Sequence, residues 1–418
     1  MNKRTFIKSI TLLGLSAPVF GRLDSILAAA ESSTAQTLAE DEDFWSKIRA
    51  SYRLKPDYIN LESGFYCIQP EETLEHFIKH VREVNYHGSY YMRNYRLENK
   101  ARVTAKLAEM ADCTPEELII TRNTTESLDT VIGGIDWSFG DEAIYAGQDY
   151  MAMQYMFELV EERYGVVRKV IDIPMHPKSD QDIVDAYARA ITPRTRLLMV
   201  PHIINFTGHI LPIRKVCDMA HARGVDVLVD GAHAFGHFQF SIKDLDCDFY
   251  GTSLHKWLTA PLGSGFLFAK KNQALKVWPA FAEKPTEDDD ILKLNHTGTH
   301  PAHTDVAIGN AIDFQNKIGI ERKETRLRFI QNYWTDQARK MDHVEVFTPI
   351  ERHRSCGIAT AGIKGMEPQE MAKILMDNHK IFTVPISRND VQGCRISPNL
   401  FTSTQDMDVL VNALKSMA

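Results

Sequence analysis

The sequence predicts an α/β fold: a large domain built on a mostly parallel sheet, followed by a smaller C-terminal α+β domain. Short apolar runs at 117–121, 142–146, 166–173, 195–200, 225–230 and 248–252 read as strands, because compact Val-, Ile- and Leu-rich runs between polar turns suit a sheet covered on both faces. Amphipathic helical patterns at 99–111, 151–163, 181–190 and 213–223 lie between most of them. Strands that alternate with helices pair in parallel and place ligands beyond their C-terminal ends.

The pattern changes from about residue 307, where a helix over 313–341 precedes strand candidates near Val344, Ile358, Phe382 and Arg395 and helices at 368–378 and 405–417. The boundaries expected from these shifts are an export signal over 1–30, an N-terminal segment over 31–57, the large domain over 58–306 and the small domain over 307–418. Lys3, Arg4 and Lys8 form a basic n-region, an apolar stretch begins at Ile10, and Ala28 to Ala30 offer a small-residue cleavage site. The run from Lys3 to Lys8 resembles a twin-arginine signal and implies export to the periplasm, with a cytoplasmic protein bearing an amphipathic N-terminus as the alternative. The apolar stretch is too short for stable membrane insertion.

Composition narrows the function. The 418 residues are 44% hydrophobic and 25% charged, which allows two well-buried cores. A net charge of -7 supplies no basic surface for a polyanion, so nucleic acid is excluded as a partner. Six widely spaced cysteines contain no Cys-x-x-Cys pair, and no metal site is predicted. His233 and His237 stand at helical ligand spacing, but Gly236 lies between them and no third acid is close in sequence. No strand runs into a Gly-x-Gly-x-x-Gly turn, which removes the case for a nicotinamide enzyme.

Chemistry concentrates in the loops after strands. Lys256 follows the run Asp248 to Ser253 and precedes the glycine-rich Pro261 to Gly265, a setting that suits a Schiff-base lysine. Desolvation and nearby cations lower such an amine's pKa and expose its nucleophilic form. Asp230 ends an apolar strand in the tight turn to His233, where a carboxylate can pair with a protonated pyridine nitrogen or cap the next helix. The segment Thr121 to Ser127 places hydroxyls and free N–H groups at a helix start, which fits a phosphate or a plain cap. Asn205 after the strand at 195–200 can donate to a phenolate oxygen or serve as a turn asparagine.

In order and spacing these segments resemble the class V aminotransferase family of pyridoxal 5′-phosphate enzymes of fold type I, from about Tyr58 to the C-terminus. The resemblance implies a seven-stranded sheet and pyridoxal 5′-phosphate on Lys256. It assigns phosphate contacts to Thr124, Thr125, Ser253 and His255, ring contacts to Tyr150, Asn205, Asp230 and His233, and the substrate carboxylate to Arg395. It also implies a homodimer in which Gly298-Thr299 reaches the neighbouring subunit's phosphate, so that His296 to His303 form an interface loop rather than a metal cluster. The alternative for Arg395 is a surface arginine on an edge strand. The resemblance is greatest to the isopenicillin N epimerase-like branch and implies chemistry at the α-carbon of an amino acid, free or peptide-borne. Transamination, β-elimination or cysteine desulfuration are the alternatives within the family, and a binding protein that keeps the fold is the alternative outside catalysis. Desulfuration is disfavoured because 383–393 holds no cysteine and Cys394 falls within a strand. Lys256, Asp230, His233 and Tyr150 are the expected catalytic groups, with Tyr150 or His233 as the second acid that epimerisation requires.

Overall fold

The computed structural model describes residues 17–281, 288–388 and 390–418. The strands in chain order are β1 (Ile59–Asn60), β2 (Leu118–Thr121), β3 (Glu142–Ala146), β4 (Val167–Ile171), β5 (Thr195–Pro201), β6 (Asp226–Asp230), β7 (Phe249–Ser253) and β8 (Gly265–Ala269). A second group comprises β9 (Val344–Val346), β10 (Ala359–Ile363), β11 (Ile381–Phe382), β12 (Val384–Arg388) and β13 (Val391–Ile396). Seven strands form the central sheet in the order β2-β8-β7-β6-β5-β3-β4. Every pairing is parallel except the two made by β8.

The apolar runs form this sheet because successive side chains enter two separate cores. Ile120, Ile144, Val200, Val229 and Tyr250 pack on one face, while Ile119, Tyr145, Met199, Leu228 and Phe249 pack on the other. The two-residue alternation therefore feeds both faces, and neither can turn to water. Strand β4 is the exception: it lies at an edge, is only partly buried, and carries Arg168 and Lys169, charges that discourage edge-to-edge association.

Two sequence expectations need correction. Strand β8 was not anticipated, because its five apolar residues follow β7 so closely that they read as the end of a glycine-rich loop. The chain instead turns back, and β8 fills the space between β7 and β2 with Gly265 opposite both Ser253 and Thr121. The helix expected over 313–341 is two helices, Ala302–Ile318 and Ile320–Ala338, separated at Gly319. Gly319 has φ +84°, which breaks the helical ladder at low steric cost.

The C-terminal strands form an antiparallel sheet in the order β12-β13-β10-β9, while β1 pairs in parallel with β11. The chain before the large sheet thus packs on the C-terminal part: Leu23, Phe44, Trp45 and Ile48 share a core with Phe314, Leu400 and Phe401. The basic n-region and the apolar stretch at 10–15 lie outside the described residues. Ala30, in the expected cleavage segment, follows the helix Ala17–Ala29 and is buried in that core. Among the described residues, no helix is long and apolar enough to cross a membrane.

Gly265 carries a packing constraint that bears on the site. A Cβ there would stand 2.6 Å from the Thr252 carbonyl oxygen and 2.8 Å from the Asn123 nitrogen and Cα. Gly265→Ala should therefore destabilise the protein by about 1–3 kcal/mol through overpacking, read as a lower urea midpoint at unchanged slope. A wild-type midpoint would show that the contact relaxes without cost.

Candidate active site

The C-terminal ends of β2, β3, β5, β6 and β7 converge on a cavity of about 300 Å³. Lys256, three residues past β7, lines it together with Asp230, His233, Asn205, Ser253 and His255. Thr124, Thr125, Tyr150 and Arg395 complete the set of sequence-derived residues at the same cavity. Thr299 is not brought there; it is exposed in the loop after Gly298.

Burial from the apolar strand ends pushes the Lys256 amine down from 10.5 to about 8. Asp230 opposes this shift with its negative charge, and Arg395 adds to it. Lys256 Nζ lies 3.1 Å from His233 Nε2. Trp257 Nε1, a donor only, faces His233 Nδ1 at 3.4 Å. His233 Nδ1 therefore accepts, and in the neutral ring Nε2 carries the proton on the side of Lys256 Nζ. Burial first, then the Lys256 charge, hold His233 well below the usual histidine range, so the ring is neutral.

His237 is structural. Its ring stacks on Trp257 with centroids 3.6 Å apart, Nε2 accepts from the Gly357 N–H at 2.8 Å, and Nδ1 lies 2.8 Å from the His233 carbonyl oxygen. These partners leave it outside any ligand set with His233.

The opposite wall is a helix N-terminus. Asn123 caps the helix Thr124–Gly134 by accepting from the Glu126 N–H at 2.9 Å. With capping done by Asn123, Thr124 turns to Ser253: its N–H donates to Ser253 Oγ at 2.9 Å and the two hydroxyls are 2.7 Å apart. Two hydroxyls and a helix start thus face the cavity together, a donor set that suits a phosphate.

Asp230 is buried, and its Oδ1 accepts from the Ala232 N–H at 2.9 Å. Burial raises its pKa, with that N–H and Lys256 working against the rise. Such a carboxylate favours a cationic partner. Asn205 Oδ1 and His255 Nδ1 are buried with no hydrogen-bond partner among the described residues. Both residues line the cavity, so a ligand there can supply the partners that buried polar atoms require. A ring nitrogen for Asp230, a phosphate for Thr124 and Ser253, a hydroxyl that donates to Asn205 Oδ1 and an aldehyde for Lys256 match the chemistry of this lining.

Arg395 is neither at the surface nor on an edge strand. It lies in β13, an inner strand of its sheet, and is 7% exposed. Its partner was missed: Nη2 donates to Glu62 Oε1 at 2.6 Å and Nε to Glu62 Oε2 at 3.3 Å. An acid one residue beyond the Ile59-Asn60-Leu61 run was the available clue, but nothing local told it from a solvated glutamate. Cys394 points away from the cavity, with Sγ 3.5 Å from the Pro368 carbonyl oxygen, and burial pushes its thiol up to about 11.

Comparison with known proteins agrees with this layout. Residues 69–384 match the family model described as aminotransferase class-V. The chain is 27% identical over 394 residues to isopenicillin N epimerase of Amycolatopsis lactamdurans, covering 90% of this chain and 98% of the relative. It is 28% identical to a cysteine desulfurase of Cronobacter sakazakii over 311 residues, 70% and 75% of the two chains. A solved structure of a lysine-to-alanine mutant of C-DES, with glycine covalently linked to its PLP cofactor, superposes with a TM-score of 0.80 at 19% identity, covering 88% of this chain and 98% of that one.

The lowered lysine pKa is directly measurable. Trapping of a small aldehyde on Lys256 with borohydride should rise with pH and level off above about 8. Asp230→Asn removes the charge that raises this pKa, so the midpoint should move to lower pH. A rate that keeps climbing towards pH ~10 would mean an exposed, ordinary lysine.

Proposed function

The chain belongs to the class-V aminotransferase family of pyridoxal 5′-phosphate enzymes, and on that premise we propose that it removes and returns the α-proton of an amino acid, free or peptide-borne, as an isopenicillin N epimerase-like enzyme. The observation that carries the reading is the buried Lys256 amine, poised 3.1 Å from a neutral His233 in the cavity that also holds Asp230. Thr124, Thr125, Ser253 and His255 would hold the cofactor phosphate, Asp230 the pyridine nitrogen, Asn205 the phenolate oxygen, Tyr150 and His233 the ring, and Lys256 the aldehyde carbon. When bound, the cofactor supplies an electron-withdrawing ring that stabilises a carbanion at the substrate α-carbon.

Proton transfer falls to the chain's own groups. The Lys256 amine would take the substrate α-proton at Nζ with its lone pair turned to the substrate, and His233 stands beside it at 3.1 Å. His233 contacts Lys256 and so shares its side, which leaves Tyr150 as the second acid of the proposal. Tyr150 is 46% exposed at the cavity mouth, where solvent can restore its proton. The cavity lining supports proton chemistry over cysteine desulfuration, because it contains none of the six cysteines.

Homodimerisation and export complete the proposal. Exposed Thr299 suits donation to a second copy, and Phe65, Tyr86, Tyr90, Leu97 and Leu262 offer apolar surface for such a contact. Sedimentation at twice the monomer mass would support the dimer. Recovery in the periplasmic fraction would support export, whereas purely cytoplasmic recovery would overturn it.

The reaction is decided by incubating the holoenzyme with candidate amino acids in deuterated water. Label at the α-carbon with loss of chirality and retained amine is expected, while keto-acid formation with accumulated pyridoxamine phosphate would make it a transaminase. Lys256→Ala should slow α-proton exchange by on the order of 10³-fold or more; unchanged exchange would remove the lysine from the mechanism. Tyr150→Phe should slow loss of chirality more than it slows exchange.

A further inference from the structure

Arg395 is held on three sides before any substrate arrives. Glu62 takes its Nε/Nη2 edge at 3.3 and 2.6 Å. The Asn205 carbonyl oxygen accepts from Nη1 at 3.1 Å. Gly64 lies so close to the guanidinium that a Cβ there would stand 2.9 Å from Arg395 Cζ and Nη2. Glu62 is itself fixed, since Oε1 also accepts from the Phe65 N–H at 2.8 Å and Oε2 lies 3.3 Å from Ser397 Oγ. Both members of the pair are more than nine-tenths buried.

A guanidinium has five N–H donors in a rigid plane, two on each terminal nitrogen and one on Nε. Glu62 and Asn205 occupy three of them. One N–H on each terminal nitrogen remains, and Arg395 lines the cavity that holds Lys256.

We propose that Glu62 is a positioning residue for substrate recognition: it fixes Arg395 by one edge so that the remaining pair of N–H groups meets a substrate α-carboxylate end-on. The inference rests on the pyridoxal 5′-phosphate reading of the site. Glu62 acts through Arg395 and does not touch the substrate. The internal pair also offsets the guanidinium charge, so geometry rather than excess charge makes the grip selective for a planar carboxylate.

The test uses the holoenzyme and two amine probes that react with its cofactor aldehyde whatever the natural substrate is. Aminooxyacetate carries a carboxylate and O-methylhydroxylamine does not, and each is followed by the change in cofactor absorbance. The ratio of their rate constants reports carboxylate recognition alone. Glu62→Gln and Glu62→Ala should lower this ratio by about 10-fold, the scale of a misplaced bidentate contact. The Glu62 charge also raises the Lys256 pKa, so Glu62→Gln and Glu62→Ala shift both probe rates together; the ratio cancels that common shift, and Glu62→Asp, which keeps the charge, should recover part of the ratio. A ratio that is unchanged or rises in Glu62→Gln would overturn the proposal, because Glu62 would then be inert or a competitor of the substrate. No absorbance response of the wild type to O-methylhydroxylamine would instead overturn the underlying cofactor reading, and this proposal with it.

Discussion

The site depends on keeping one amine dry without leaving it unpaired. Lys256 stands where apolar strand ends exclude water, and that burial brings its pKa to about 8. An ammonium in such a place would demand a tight counter-ion, whereas an amine needs only a donor for its lone pair. His233 supplies the donor because Trp257, which can only donate, fixes its tautomer. The tautomer of the histidine beside the nucleophile is thus set by one indole N–H placed immediately after Lys256 in sequence.

The support behind that arrangement extends deep into the fold. Trp257 is clamped between its stack on His237 and the buried Lys323 side chain, whose Nζ donates to the Trp257 carbonyl oxygen and to Gln315 Oε1. Burial lowers Lys323 to about 8 as well. Lys323 belongs to the helix that begins after Gly319, so the helix break at that glycine helps to orient the residue beside the active lysine. A loop so braced can hold a reactive side chain within the small tolerance that proton transfer demands.

A second constraint joins the two parts of the chain. The Glu62–Arg395 pair spans 333 residues of sequence, and Arg395 also touches the Asn205 carbonyl of the large sheet. The cavity is therefore closed by the C-terminal sheet and by the segment after β1, not by the parallel sheet alone. Removing either member of such a pair leaves a buried charge uncompensated, which is more damaging than a surface ion pair's loss.

The central sheet was legible because most of its strands are apolar runs, a pattern that needs no tertiary information. Most cavity residues were legible because they stand at or just after a strand end, where a parallel sheet must place its ligands, whereas Arg395 lies inside β13 of the other sheet. Strand β8 was not, since direction is not encoded in five apolar residues; only the narrow gap between β2 and β7, passable at Gly265, fixes it. Glu62 and Lys323 were equally hidden, because a buried charge looks like a solvated one until its partner is known. The sequence by itself determined which residues could do amine chemistry and the order in which they occur. Tertiary structure alone decided which of them lose water and which charges they meet, because desolvation and pairing depend on groups that the chain brings together from hundreds of residues apart.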